Sequence, residues 1–146
     1  MIATVQTIHV LSSAMMMLVM ILVQILIYPQ FHHVGLDTLS KYAKFHSARI
    51  SWVVMPLMLC EAASLAALLT IFDTPAWNLY TAAVLLLLIW IYTFLAVVPV
   101  HAKLAQDNPK PSYVSDLNRL NSYRTVLWLI KGILSIDIYL TFIGNP

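Results

Sequence analysis

Four long runs of apolar residues are the feature that most restricts how this chain folds. They cover residues 5–28, 50–72, 77–98 and 125–143. A helix needs about 20 predominantly apolar residues to cross the hydrocarbon core of a bilayer. A lipid-exposed backbone must satisfy its own hydrogen bonds, so each run is predicted to be a helix. The chain is therefore predicted to be one all-α domain, residues 1–146, folded as a four-helix transmembrane bundle.

The composition agrees with this prediction and excludes several other classes of protein. Hydrophobic residues make up 61% of the chain and charged residues 10%, against about 45–50% and about 25% in soluble domains. Too few charges remain for a water-soluble surface, and the chain is too hydrophobic to be disordered. The net charge is only +2 and the basic residues are scattered, so nucleic-acid binding has no support. The single cysteine, Cys60, cannot form an internal disulfide.

The basic residues predict how the bundle is oriented. Seven of the eight lysines and arginines lie in two long connections, residues 30–49 and 101–124, and the eighth is Lys131. The positive-inside rule places both connections in the cytoplasm. Both termini and the short turn at residues 73–75 then lie on the non-cytoplasmic side. We expect an integral protein of a bacterial inner membrane, with bilayer lipid as its constant partner.

The two long connections are predicted to be partly helical. Asp37 and Thr38 form a plausible N-cap, followed by apolar residues at helical spacing, so the second helix is expected to begin there. The fourth helix is expected to begin near Ser115. Between the third and fourth helices, residues 106–111 have the composition of a turn-rich linker.

Three ionisable residues lie inside the predicted spans, where such groups are costly and suggest function. They are Glu61, Lys131 and Asp137. At 1.5 Å per residue, Lys131 lies roughly 10 Å and Glu61 roughly 15–20 Å from the side of the long connections. We expect these two side chains to face inward and interact, although Lys131 could instead extend to the membrane surface. Asp137 is expected to pair with His9.

Histidine, arginine and asparagine residues gather at the ends of the spans on the cytoplasmic side. They are His32, His33, His46, Arg49, His101, Asn121 and Arg124. One interpretation is a metal site formed by His33, His46 and His101. A second is haem ligation by one or two histidines. A third is an anionic or phenolic ligand held by arginine and histidine, with proton transfer. The fourth is simple contact with lipid phosphates.

Two segments carry a family resemblance. The end of the third run reads YTFLAVVPVHAKL (residues 92–104), and the start of the fourth helix reads LNSYRT (residues 120–125). These resemble the anthrone oxygenase-like family of small four-helix membrane proteins. Residues 28–31 and 46–61 are similar to segments of uncharacterised bacterial four-helix membrane proteins. The resemblance implies a four-helix bundle that oxygenates a phenolic, polycyclic substrate without a dedicated metal. It marks Pro99, His101, Leu104, Asn121, Arg124 and Thr125, with His101 standing where the family pattern has asparagine.

Together these observations predict a polar pocket, in the cytoplasmic half of the bundle, that binds an apolar small molecule or a cofactor. In a redox or oxygenase-type enzyme, His101 and His46 would act as base or ligand. Arg124 and Arg49 would hold developing negative charge, and Glu61 and Lys131 would set the polarity of the pocket floor. The predicted cofactor-binding residues are Gln24, Arg49, Tyr92, Asn121 and Lys131.

Other functions remain open at this point. The chain could be a non-catalytic accessory or assembly subunit of a larger membrane complex, or it could form a homo-oligomer. A third possibility is a proton or ion transporter that uses Glu61. Haem, a transition metal and no cofactor at all are each compatible with the sequence.

Overall fold

Four long helices account for nearly all of the chain. The computed structural model describes residues 2–72 and 77–144, and all regular structure in this part is helical. The helices are α1 (Ile2–His33), α2 (Leu36–Ile71), α3 (Trp77–Leu104) and α4 (Ser112–Gly144). All four are long and apolar enough to cross a membrane, which confirms the predicted all-α transmembrane bundle. The predicted turn at Asp73, Thr74 and Pro75 lies outside the described residues, and the orientation in the membrane stays a prediction.

The helices extend past the apolar runs at one end of the bundle. Helix α2 begins at Leu36, where the Thr38 hydroxyl donates to the Gly35 carbonyl at 3.0 Å. Helix α4 begins at Ser112, three residues before the predicted start. Residues 105–111 form the connection between α3 and α4, and Asn108 adopts a φ of 56° there, a conformation that asparagine tolerates better than most residues. We call this end, which holds the α1–α2 and α3–α4 connections, the basic end, and the opposite end the terminal end.

The outer surface of the bundle is apolar. Trp52 is 81% exposed, Leu95 75% and Ile25 65%. A soluble monomer rarely exposes so many large apolar side chains, whereas a bilayer accommodates them. The interior is also apolar at mid-height, where Met16, Met20, Met58 and Trp128 are buried together. The protein is therefore an integral membrane protein whose interior and exterior are both mainly hydrophobic.

Two helices contain a π-helical segment just before a proline. In α1 the segment is Val23–Ile27 and Pro29 follows; in α3 it is Thr93–Val97 and Pro99 follows. The N–H groups of Tyr28 and Val98 each donate to a carbonyl five residues earlier. Proline has no N–H, and its ring clashes with the carbonyl four residues earlier. The wider turn removes this conflict, and such turns recur at functional sites.

Candidate functional site

An ion pair lies in the interior of the bundle towards the terminal end. Glu61 on α2 and Lys131 on α4 are fully buried and form a salt bridge. The Lys131 ammonium also donates to the Ser13 hydroxyl on α1 at 2.8 Å, and that hydroxyl donates to the Glu61 carboxylate. The predicted interaction between Glu61 and Lys131 is confirmed. Extension of Lys131 to the membrane surface is excluded by its complete burial.

His9 completes this network. Its Nε2 lies 3.4 Å from the Lys131 ammonium and its Nδ1 lies 3.3 Å from the Ser64 hydroxyl. Because an ammonium group only donates, Nε2 is assigned as the acceptor and Nδ1 as the atom that carries the proton. Ser64 in turn donates to the Glu61 main-chain carbonyl at 3.1 Å. The network links α1, α2 and α4, and the one carboxylate oxygen in it without a hydrogen-bond partner among the described residues is Glu61 Oε2.

The predicted pairing of Asp137 with His9 is wrong. Asp137 is exposed, and its Oδ2 accepts a bond of 3.4 Å from Asn78 Nδ2 on α3. Asp137 lies six positions after Lys131, so at 3.6 residues per turn the two side chains leave α4 on different faces. Lys131 takes the face towards His9, and Asp137 takes the face towards α3.

A second polar cluster lies near the basic end, around His101. Its Nε2 is 2.8 Å from the Tyr28 hydroxyl and its Nδ1 is 3.1 Å from the Ser47 hydroxyl. His46 stacks on it, with ring centroids 5.9 Å apart and planes inclined by 20°. Tyr28 follows the π-helical segment of α1, and His101 lies two residues after Pro99 in α3. Three helices therefore fix the position of this imidazole.

Arg124 on α4 lies beside this cluster and is only 7% exposed. Its Nε and one terminal nitrogen donate to Asn121 Oδ1 at 3.1 and 2.7 Å. The Asn121 amide donates to Gln24 Oε1 at 2.8 Å, and Gln24 donates to Asn118 Oδ1 at 2.7 Å. No carboxylate among the described residues forms an ion pair with Arg124. Neutral amides thus orient the guanidinium, while its charge has no counter-ion in this part of the chain.

A cavity of about 200 Å³ lies between these groups. Six polar residues line it: Tyr28, Ser47, Ser51, Thr93, His101 and Arg124. The remaining walls are mainly apolar and include Ile50, Val54, Met58 and Val97. Thr93 is buried, and its hydroxyl has no hydrogen-bond partner among the described residues. Met55 and Phe94 also line the cavity and are exposed at the surface, so the cavity opens towards lipid between α2 and α3. We call it the α2–α3 cavity.

The predicted site residues divide into two separate groups. His101 and Arg124 line the α2–α3 cavity, and His46 packs against His101. Glu61 and Lys131 do not line it, so the prediction that they form its floor is wrong. On α4, the buried Trp128 lies between Arg124 and Lys131, and buried methionines of α1 and α2 pack in the same apolar core. This apolar layer separates the two polar clusters and gives no support to a continuous polar path for protons.

The other predicted ligand-binding residues do not line the cavity. Gln24 and Asn121 bond to each other behind Arg124, and the Tyr92 hydroxyl donates to the Leu120 carbonyl at 3.1 Å. These residues orient the site without facing it. Arg49 is exposed, with its guanidinium 5.3 Å from the centre of the Phe45 ring. It leaves α2 on the outer surface, so its assignment to the site is wrong.

The predicted metal set of His33, His46 and His101 does not form. His33 and its neighbour His32 are exposed at the end of α1, whereas His46 is buried. Within residues 2–72 and 77–144, no group of three or more His, Cys, Asp or Glu side chains is placed to hold a metal ion. Both ring nitrogens of His101 are already hydrogen-bonded. A cavity of about 150 Å³ holds benzene, so a cavity of about 200 Å³ has no room for a haem.

The polar cavity residues absent from the predicted site include Tyr28, Ser47 and Thr93. Each carries a weak signal in the sequence, because Tyr28 precedes a proline, Ser47 follows His46, and Thr93 interrupts an apolar run. No protein-family model, curated protein or solved structure matches the chain. The resemblance to the anthrone oxygenase-like family therefore stays a prediction, and function is inferred from the cavity and its side chains.

Proposed function

We propose that this integral membrane protein binds a small, largely apolar molecule in the α2–α3 cavity. The observation that supports the proposal is a cavity of about 200 Å³ with apolar walls and a few polar groups, among them the unpartnered Thr93 hydroxyl. Ligand sites in proteins have this composition, since apolar walls supply affinity and a few polar groups fix orientation. The cavity is somewhat larger than the about 150 Å³ that accommodates benzene.

The side chains of the cavity assign a position to each part of the ligand. A polar group of the ligand would lie against His101, Tyr28 and Arg124, and its apolar part against Val54 and Met58. His101 is held by hydrogen bonds to two hydroxyls, and Arg124 is held by Asn121. Because these groups are already ordered, little conformational entropy is lost when a ligand binds.

Mass spectrometry of the organic extract of the protein, purified in a mild detergent, tests the proposal. We expect one compound in the extract at a fixed ratio to the wild-type protein. His101→Phe should lose it, because a phenyl ring cannot hydrogen-bond to Tyr28 or Ser47. His33→Phe is the matched control, since His33 is exposed and outside the cavity, and it should retain the compound. Identical extracts from all three proteins, or bulk lipid alone, would contradict the proposal.

Acid–base catalysis on the bound molecule is the second candidate. It is favoured by the His101 imidazole, which lies between two hydroxyls and shares the cavity with the Arg124 guanidinium. An imidazole can remove a proton from a ligand, and a buried cation stabilises the anion that results. An oxygenase of the kind implied by the family resemblance would use this proton removal to form the substrate anion, with dioxygen as the oxidant that then reacts with it. A His101→Gln variant that keeps the extracted compound and loses its turnover would support catalysis, and unchanged turnover would refute it.

A further inference from the structure

We infer that the ligand of the α2–α3 cavity is a carboxylate amphiphile, whose head group pairs with Arg124 and whose hydrocarbon chain leaves between α2 and α3. The inference rests on the proposed function and adds the charge and shape of the ligand. Three observations support it: the charge of Arg124, the free hydroxyl of Thr93 and the apolar opening of the cavity.

The charge of Arg124 is the first observation. A charge buried away from water is unfavourable unless it is paired. The other deeply buried cation, Lys131, has a carboxylate partner in Glu61. Arg124 is 7% exposed and has only neutral partners among the described residues, chiefly Asn121. The site around Lys131 thus contains a carboxylate, whereas the described residues around Arg124 provide none. The cavity beside Arg124 has room for a carboxylate from a ligand.

The Thr93 hydroxyl is the second observation. Thr93 is buried and lines the same cavity from α3, and its hydroxyl has no hydrogen-bond partner among the described residues. A carboxylate has two oxygens and about four acceptor positions. Arg124 on α4 and Thr93 on α3 can therefore donate to one head group from different helices. A neutral hydrocarbon would leave the Thr93 hydroxyl without a partner and the Arg124 charge without a counter-ion.

The charge of Arg124 also favours a carboxylate over a phenol as the head group of the ligand. A phenol has a pKa near 10 and is neutral at pH 7, whereas a carboxylic acid is ionised. Only the carboxylate supplies a full negative charge to a guanidinium, and it does so through charge-assisted hydrogen bonds, which are about twice as strong as neutral ones.

The opening of the cavity is the third observation. Ser51, Met55, Phe94 and Val98 line the cavity and are also exposed on the outer surface of α2 and α3. In a membrane this surface faces acyl chains. A head group bound at Arg124 would therefore continue into a chain that passes these side chains and reaches the lipid. The site admits an amphiphile from the bilayer without passage through water.

Two probes of equal chain length and different charge test the inference. Decanoate and decanol, each labelled with ¹³C at carbon 1, are titrated into the protein in phosphatidylcholine nanodiscs and followed by NMR. We expect wild-type protein to bind decanoate about 10- to 100-fold more tightly than decanol, the range expected for a hydrogen bond to a charged group. Arg124→Gln should abolish this preference, and Arg124→Lys, which keeps the charge, should retain part of it.

Thr93→Val provides a second variant that disrupts no internal hydrogen bond. It should weaken decanoate binding by about 2- to 10-fold, the contribution of one neutral hydrogen bond. Thr70→Val is its control, because Thr70 is exposed on α2 and its hydroxyl donates to the Ala67 carbonyl at 2.9 Å. Equal binding of both probes by wild-type protein would overturn the carboxylate and leave the proposed function intact. Binding of neither probe would overturn both, and a preference that survives Arg124→Gln would overturn the role of Arg124.

Discussion

Removal of one charge from the Glu61–Lys131 pair should destabilise the protein far more than removal of both. Both side chains are fully buried, and the ammonium has three partners: Glu61, Ser13 and His9. Lys131→Met leaves a buried carboxylate that retains only Ser13 as a donor. Loss of one member of a buried ion pair costs about 3–5 kcal/mol, whereas replacement of both members is often close to neutral.

The two single variants are expected to lower the free energy of unfolding by different amounts. Lys131→Met should lower the free energy of unfolding by about 4–5 kcal/mol, because it leaves an unpaired anion away from water. Glu61→Gln should cost about 3 kcal/mol, since the amide oxygen can still accept from Lys131 and Ser13. The double variant Glu61→Gln/Lys131→Met buries no charge and should lie within about 2 kcal/mol of the wild type, a residual cost that reflects the buried amide. The two single effects are therefore strongly non-additive, as expected for groups in direct contact.

Unfolding by sodium dodecyl sulfate in mixed micelles, followed by circular dichroism, measures these free energies. Lys44→Met is the matched control, because Lys44 is exposed and lies 4.0 Å from an exposed Asp107. Its effect should stay within about 0.5 kcal/mol, as for other surface substitutions. Additive effects of the two core substitutions, or single effects no larger than that of the control, would refute the reasoning.

Two further predictions concern packing in the bilayer. In single-tryptophan variants, brominated lipid should quench Trp52, which is 81% exposed, and leave Trp128, which is 1% exposed, almost unaffected; equal quenching would contradict the bundle. Gly132→Leu should destabilise by about 1–3 kcal/mol, because a Cβ introduced at this position would lie 3.1 Å from Met17 Sδ on α1. Ile133→Leu, on the exposed side of α4, is its control in the same unfolding assay, and equal effects of the two substitutions would argue against close packing of α1 and α4.

The fold could be predicted because its strongest determinant is local. Each apolar run is long enough to span a bilayer on its own, and lipid permits only a helical backbone there. The pairing of Glu61 with Lys131 could also be predicted, since a count of residues along two straight helices places them roughly 5–10 Å apart in depth, a gap that the long lysine side chain can cover. Depth alone was not enough to predict the partner of Asp137, because that partner depends on the face of α4 from which the Asp137 side chain projects.

The candidate site was only partly predictable because it depends on local departures from regular helix. The π-helical segments before Pro29 and Pro99 change which side chains of α1 and α3 face inward. A uniform count of 3.6 residues per turn does not follow these changes, and Tyr28 and Thr93 were therefore absent from the predicted site. The assignment of Arg49 to the site was wrong for a different reason: its position in the sequence does not show whether its side chain lies on the inner or the outer surface of α2.

Photo-crosslinking tests most directly whether the α2–α3 cavity is a ligand site. The probe is a ten-carbon amphiphile with a diazirine next to its head group, and adducts are mapped by mass spectrometry. We predict adducts concentrated on the cavity residues around the head group, such as Tyr28, Val97 and His101, suppressed by excess unlabelled amphiphile. Adducts concentrated instead in the apolar groove lined by Ala66 and Leu87, or spread evenly over the lipid-facing surface, would contradict the account.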